Sequence, residues 1–149
     1  MSFDVWWTPA GAASAKKLDK PIADAVDRVE SELERVGCAV ASYRLTGEIL
    51  EHFCVVHLPY DYRMLVAFPS DQEVSILLVG RHVRSPALDV YARLYRALDL
   101  QPPPEERTKP PCCDAENDEP PVDGELVDRF RDGVKRLRRE SRPVQSPSR

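Results

Sequence analysis

No apolar run in this chain approaches the roughly 20 residues that a membrane-spanning helix needs, so none is expected. The opening MSFDVWWTPAG has neither the basic start nor the apolar stretch of a secretory signal peptide, and the expectation is a cytoplasmic protein without membrane contact. Cysteine is sparse, with four in 149 residues. Cys38 and Cys54 lie among apolar neighbours and read as small core residues. Cys112 and Cys113 are adjacent in a polar stretch, and one vicinal pair lacks the two-pair spacing of a zinc site. The expectation is reduced thiols, no metal and no cofactor.

Positive charge is also short where a nucleic-acid-binding domain would need it. Residues 1–99 hold 11 Lys+Arg against 14 Asp+Glu, a balance of −3. Residues 101–128 hold 2 against 9, and residues 129–149 hold 8 against 2, so only the last segment is strongly basic. Any nuclease chemistry in the first segment must rest on a local basic cleft.

What is present suits one small domain and an appendage, with 42% hydrophobic and 31% charged residues. Phe3-Asp4-Val5-Trp6-Trp7 is rich in strand formers and predicts a first strand. Thr8 before Pro9 is an N-cap with proline at the first helical position, opening a short helix to about Leu18. Asp19 starts a second helix, in which Ile22, Val26, Val29, Leu33 and Val36 fall on one stripe and Gly37 sits just past the end. Three strands are expected at His52–Leu58, Arg63–Phe68 and Val74–Gly80, with a shorter one within 40–45. Their short links favour antiparallel pairing. Pro86 opens a third helix with Leu88, Tyr91, Leu94, Tyr95 and Leu98 on its apolar side. This order predicts a sheet with the helix pair on one face and the opposite face open, the place to look for function.

After Leu100 the character changes. The organisation expected is a domain over 1–99, a proline-rich acidic linker over 100–123, a basic amphipathic helix over 124–140 and a disordered tail over 141–149. The helix carries Leu126, Val127, Phe130, Val134 and Leu137 on one stripe, with arginines and Lys135 elsewhere. So short a helix is marginal alone in water and needs a surface. Docking on the chain's own domain satisfies both its charge and its apolar stripe.

Four short motifs in this order resemble one family. Trp7-Thr8-Pro9-Ala10 is similar to the opening "W-T-P-A", and Leu45-Thr46-Gly47 to the "L-x-G" before the central hairpin, of RelE/ParE toxins of bacterial type II toxin–antitoxin systems. Tyr62-Arg63-Met64-Leu65-Val66 looks like their "YR-L-Y" strand. Val74–Val79 followed by Gly80-Arg81-His82 looks like their last strand and its ending. The resemblance spans about residues 3–95 and implies an α+β fold: an antiparallel sheet of about four strands covered by an N-terminal helix pair, here with a C-terminal helical appendage. It also implies a cognate antitoxin as partner. One branch of the family cleaves mRNA on the ribosome without a metal, and another inhibits DNA gyrase without chemistry.

Metal-free RNA cleavage needs a base for the 2′-hydroxyl, an acid for the leaving 5′-oxygen and cations around the phosphate. Arginine suits the phosphate because its planar fork keeps its charge. Arg63 and Arg81 match family arginines and are the candidates for phosphate contact. His82 is the candidate acid or base, since an imidazole titrates near neutrality. Arg44 and Arg84 are further candidates for RNA contact. The plainer reading of the arginines is solvated strand charges, and of His82 a capping or half-buried ring. His52, His57, Glu48 and Glu51 are additional titratable groups without a family counterpart. Tyr91 falls near a family tyrosine but sits on an apolar stripe and reads as core. The strand after "L-x-G" departs from the family, having Glu48, Glu51, His52 and Phe53 where lysines and arginines are usual. Three functions therefore stay open: a toxin-like endoribonuclease acting on mRNA at the ribosome, a non-catalytic gyrase inhibitor, or a non-toxic interaction protein.

Overall fold

The computed structural model describes residues 2–101, 109–114 and 119–141. Strand β1 (Asp4–Trp7) leads into helices α1 (Pro9–Ala15) and α2 (Lys20–Val36). Four strands follow, β2 (Tyr43–Arg44), β3 (Phe53–His57), β4 (Tyr62–Ser70) and β5 (Glu73–Arg81), and then α3 (Val90–Ala97) and α4 (Leu126–Ser141). The fold is α+β. Strands β2 to β5 form the expected antiparallel meander, and β1 extends it in parallel beside β5, giving the order β1-β5-β4-β3-β2. The parallel pairing follows from the helical crossover between β1 and the meander, which returns the chain in the same direction.

The helix pair divides its work. β1 pairs with β5 only as far as Ile76, and α1 closes the rest of that edge. The Thr8 hydroxyl accepts from the Gly11 N–H at 3.0 Å as the helix N-cap and donates to the Leu77 carbonyl at 2.9 Å. The Ser14 hydroxyl accepts from the Val79 N–H at 3.0 Å. Backbone groups of β5 that would otherwise face water thus find partners on a helix. Gly11 is needed for this approach, since a Cβ there would lie 2.7 Å from the Ile76 oxygen. α1 stops at Ala15 rather than near Leu18, whose N–H turns back to the Ala15 carbonyl.

α2 lies on the sheet face that carries Cys54, Val56, Met64, Val66, Phe68 and Ile76, with Val26, Val29 and Leu33 in that core. Val36, the last of the stripe, is 37% exposed because α2 ends there. Gly37 has φ +60°, and a Cβ on it would strike the Phe3 ring. Leu33 has no exposed surface, and its replacement by Ala is expected to cost about 2–5 kcal/mol in a urea melt. A cost below about half a kcal/mol, the level of an ordinary surface change, would refute the packing.

The opposite face is not open. Phe53, Val55, Leu65, Ala67, Leu77 and Leu78 on that face are covered by Val90, Leu94, Ala97 and Leu98 of α3 and by Leu126, Val127 and Phe130 of α4. The side chains of a meander alternate, so both faces are apolar and both need cover. α3 begins at Val90, capped by Asp89, and not at Pro86; Leu88 is consequently 70% exposed and off the apolar stripe. β4 runs through Pro69, where an irregularity between Ala67 and Ser70 relieves the missing N–H.

The thiols are a second correction. Cys54 is bonded to Cys112 and Cys38 to Cys113, with Cα–Cα distances of 5.7 and 5.4 Å. Cys38 and Cys54 are core residues, and the vicinal pair is what reaches them. The Arg44 N–H donates to the Pro110 carbonyl at 2.8 Å, so this segment passes the β2 edge before turning in to the α2 side. The Asp123 N–H then donates to the Phe68 carbonyl at 3.0 Å, bringing the chain back to α4. Parts of the proline-rich acidic stretch are thereby held, with Cys112 only 2% exposed. Residues 102–108, 115–118 and 142–149 lie outside the described residues; of the tail expected over 141–149 only Ser141 is described, and it ends α4.

Candidate active site

Arg63 stands on the second residue of β4, opposite His57 of β3 and Gly80 of β5. Alternation places it on the face of Leu65 and Ala67, the α3 side of the sheet. One guanidinium nitrogen donates to the carbonyls of Tyr62 (2.8 Å) and Tyr60 (3.3 Å), which fix the fork, while Nε is buried without a partner. Its charge reaches His57 and Tyr91, and a run of aromatic contacts passes through both. The His57 ring meets Tyr43 edge-on with centroids 5.2 Å apart. The hydroxyls of Tyr43 and Tyr91 are 2.8 Å apart and buried. The Tyr91 ring meets His82 edge-on at 4.8 Å. The run His57–Tyr43–Tyr91–His82 is thus continuous, with an imidazole at each end.

Each ring is held by local structure. Asp89 is the N-cap of α3 and accepts from the Ala92 N–H at 3.0 Å. Its other oxygen takes the Val83 N–H at 3.0 Å and His82 Nδ1 at 2.9 Å. Because the carboxylate accepts, Nδ1 carries the proton and Nε2 is left for a reacting group. Tyr91 is placed two residues into α3 by that same cap. Lys109 lies over the Tyr43 ring, its amine 5.1 Å from the centroid.

Charge follows the geometry. Burial, and then the positive fields of Arg63 and Lys109, hold the His57 pKa below its ordinary 6.5. His57 is therefore neutral at physiological pH and able to accept a proton. Burial and the Tyr43 hydroxyl push the Tyr91 phenol up, so it stays protonated. The His57 shift has a consequence for stability. Unfolded chain takes up this proton near pH 6.5, folded chain only lower down, so between the two the unfolded state binds more protons and stability falls as pH falls. Denaturant melts at about pH 7.5 and about pH 5 should show that loss, and His57→Gln should flatten it. An identical pH dependence in the variant would rule out His57 as the source.

Of the sequence candidates, Arg63 and His82 both adjoin Tyr91, the first through its field and the second through its ring, and Arg81 lies elsewhere. Arg81 pairs with Tyr62 in the ladder, on the face away from Arg63. Its guanidinium is clamped by Asp61 through contacts of 2.8, 3.0 and 3.2 Å. That bond holds the Asp61 carboxyl below the usual carboxylate range and raises Arg81. Arg44 lies opposite Cys54 on the α2 side, its Nε buried without a partner. Arg84 is exposed in the loop between β5 and α3. His52 falls in a short 3-10 turn ahead of β3. The members missed from sequence are Tyr43, Asp89 and Lys109, while Tyr91 had been read as plain core. Asp89 had a signal, an acidic residue directly before Val90 and a helical run. Tyr43 and Lys109 had none.

No protein-family model and no curated protein sequence matches the chain. Among solved structures the likeness is to RelE and YoeB proteins. The toxin–antitoxin complex RelBE2 from Mycobacterium tuberculosis aligns at 23% identity and a TM-score of 0.46, over 54% of this chain and 99% of that one. The YoeB dimer from Staphylococcus aureus aligns at 12% identity and a TM-score of 0.46, over 56% and 100%. The RelE–RelB complex from Pyrococcus horikoshii aligns at 17% identity and a TM-score of 0.44, over 57% and 100%. Each alignment takes in little more than half of this chain.

Proposed function

We propose that the protein is a toxin-like, metal-independent endoribonuclease that cleaves mRNA at the ribosome. The observation that carries this reading is the grouping of Arg63 with two histidines set on either side of a hydrogen-bonded tyrosine pair. Neutral His57 takes the proton of a 2′-hydroxyl. The 2′-oxygen then bonds to the adjacent phosphorus, and the bond from phosphorus to the 5′-oxygen breaks. His82, entering the step as an imidazolium whose Nδ1–H is held by Asp89, gives its Nε2 proton to that leaving oxygen. The products are a 2′,3′-cyclic phosphate and a 5′-hydroxyl. Arg63 holds the phosphate oxygens while charge builds on them, and Lys109 adds a second cation beside the base. Water must return the protons to their starting places between turnovers. In this reading Arg81 is structural, and Arg44 and Arg84 have at most an outer contact with RNA.

The same reading includes a cognate antitoxin that neutralises the protein, and the cytoplasm as its place of action. Thiol reductants there have poor access to the Cys54–Cys112 bond, since the two residues are 0% and 2% exposed and exchange requires attack on sulfur.

The test is to add purified protein to translating ribosomes and map the mRNA ends. Wild type should leave new ends with cyclic phosphates, and Arg63→Ala should cut about a hundredfold more slowly or worse. Intact message with the wild-type protein would end this reading. Equal cleavage by Arg63→Ala would remove Arg63 from the chemistry.

A further inference from the structure

Two grooves adjoin on the side of the molecule between α1 and α3. The first, about 490 Å³, lies between α1, α3 and α4 and is flanked by Lys17, Arg93, Arg96 and Arg138. The second, about 480 Å³, shares Ala13, Lys17 and Arg93 with the first and ends at Tyr62 and Arg81. Among the described residues lining either groove there is no carboxylate, in a chain where Asp+Glu outnumber Lys+Arg by 25 to 21. The acids close to the second groove are already engaged, Asp61 by Arg81 and Asp89 by the Ala92 and Val83 amides and His82.

We infer that this paired groove is a binding surface for the phosphodiester backbone of single-stranded RNA, separate from the site that holds the scissile bond. The inference rests on the RNA reading above for the identity of the polyanion, and on the charge pattern for the site itself. Arg93 is half-buried and, among the described residues, its side chain makes no hydrogen bond or ion pair. Burial and the neighbouring Arg96 both work against its charge. Two like charges kept together without a counter-charge are a cost that a phosphate would relieve. Arg96 is fixed by a 2.7 Å bond to the Pro86 carbonyl, so it cannot swing away from Arg93 to lower that cost. One phosphate would occupy a fraction of either cavity. A run of cations from Arg138 of α4 through Arg96 and Arg93 to Lys17 instead suits a chain of phosphates.

The experiment uses the full chain and a fluorescent single-stranded RNA with 2′-O-methyl sugars, which cannot be cut by 2′-hydroxyl attack. Fluorescence anisotropy across a salt series gives affinity and its salt slope. The Lys17→Ala/Arg93→Ala double variant should bind at least about tenfold more weakly, with a log–log salt slope reduced by about 1.4, two single-strand contacts' worth. Arg28→Ala, on the exposed outer side of α2, should leave both unchanged, and Arg93→Lys should restore part of the loss. Thermal melts of each variant check that the fold is kept. Unchanged affinity in the double variant, or an equal loss in Arg28→Ala, would overturn the groove. So would a protein that binds inorganic phosphate at these residues but not the RNA. Tight RNA binding through the groove with no cleavage of ordinary mRNA would instead refute the nuclease reading and leave the groove standing.

Discussion

Replacing all four cysteines by Ala is expected to lower the unfolding free energy by about 7 kcal/mol, and either pair alone by about 3 kcal/mol. The loops closed are long: Cys54 and Cys112 are 58 positions apart in sequence, and Cys38 and Cys113 are 75 apart. Loop-closure entropy alone gives about 4 kcal/mol for one such bridge in an otherwise free chain. The second is worth somewhat less, because the first already tethers the same segment and the remaining ring holds only the stretch from Cys38 to Cys54. Marginal stability makes this decisive, since a typical domain has only about 5–15 kcal/mol to lose. Ala is the apt replacement, because Ser would leave a hydroxyl among the apolar neighbours of Cys54. The check is a set of urea melts of the wild type and the three variants, with wild type also melted in excess dithiol. Reduced wild type and the four-alanine variant should unfold at nearly the same urea concentration. Equal stability of all forms would mean that neither bridge constrains the chain.

Much of the architecture could be read from the residues, for identifiable reasons. The stripe from Ile22 to Leu33 is long and strictly periodic, so helix and buried face followed from it together. The strand runs were bounded by Pro59, Asp61 and Asp71, whose turn chemistry is local. The closing of the β5 edge by α1 was not legible, because it depends on the Thr8 and Ser14 hydroxyls meeting carbonyl and amide groups 65 or more positions away. The disulfides were hidden for the same reason: cysteine pairing is a three-dimensional fact, and four cysteines allow three connectivities. The separation of Arg81 from Arg63 follows from the hairpin. Ser70 pairs with Glu73 across the two-residue turn Asp71–Gln72, and counting back along the hairpin sets Arg63 against Gly80. Arg81 must then fall beside Tyr62, on the other face. Within the candidate site, Arg63 had a strand position and a family pattern behind it. Tyr43 sits on a two-residue strand, too short for any periodicity, and acquires meaning only through its hydroxyl contact with Tyr91.

The same distinction between a legible stripe and an illegible docking place gives the second large effect, at α4. Phe130 has no exposed surface and shares one core with Leu65, Leu77 and Leu94. Its replacement by Ala should cost about 3–5 kcal/mol, the range for deleting a buried aromatic ring. Gly133, one turn on, lies hard against α3: a Cβ there would overlap the Ala97 carbonyl. No side-chain rotation relieves a contact with backbone, so Gly133→Val must push the helix off its seat. The Arg136 guanidinium, which donates to the Arg96 carbonyl at 2.9 Å, would leave with it. Hydrogen exchange separates two outcomes. If α4 is integral to the core, both variants lose protection across 126–141 and also in α3, β4 and β5, and the melting midpoint falls for the whole domain. If α4 is a detachable appendage, protection is lost in 126–141 alone and the midpoint of the remainder holds. The complete burial of Phe130 between α3 and the sheet commits the structure to the first outcome, and the second would refute that packing.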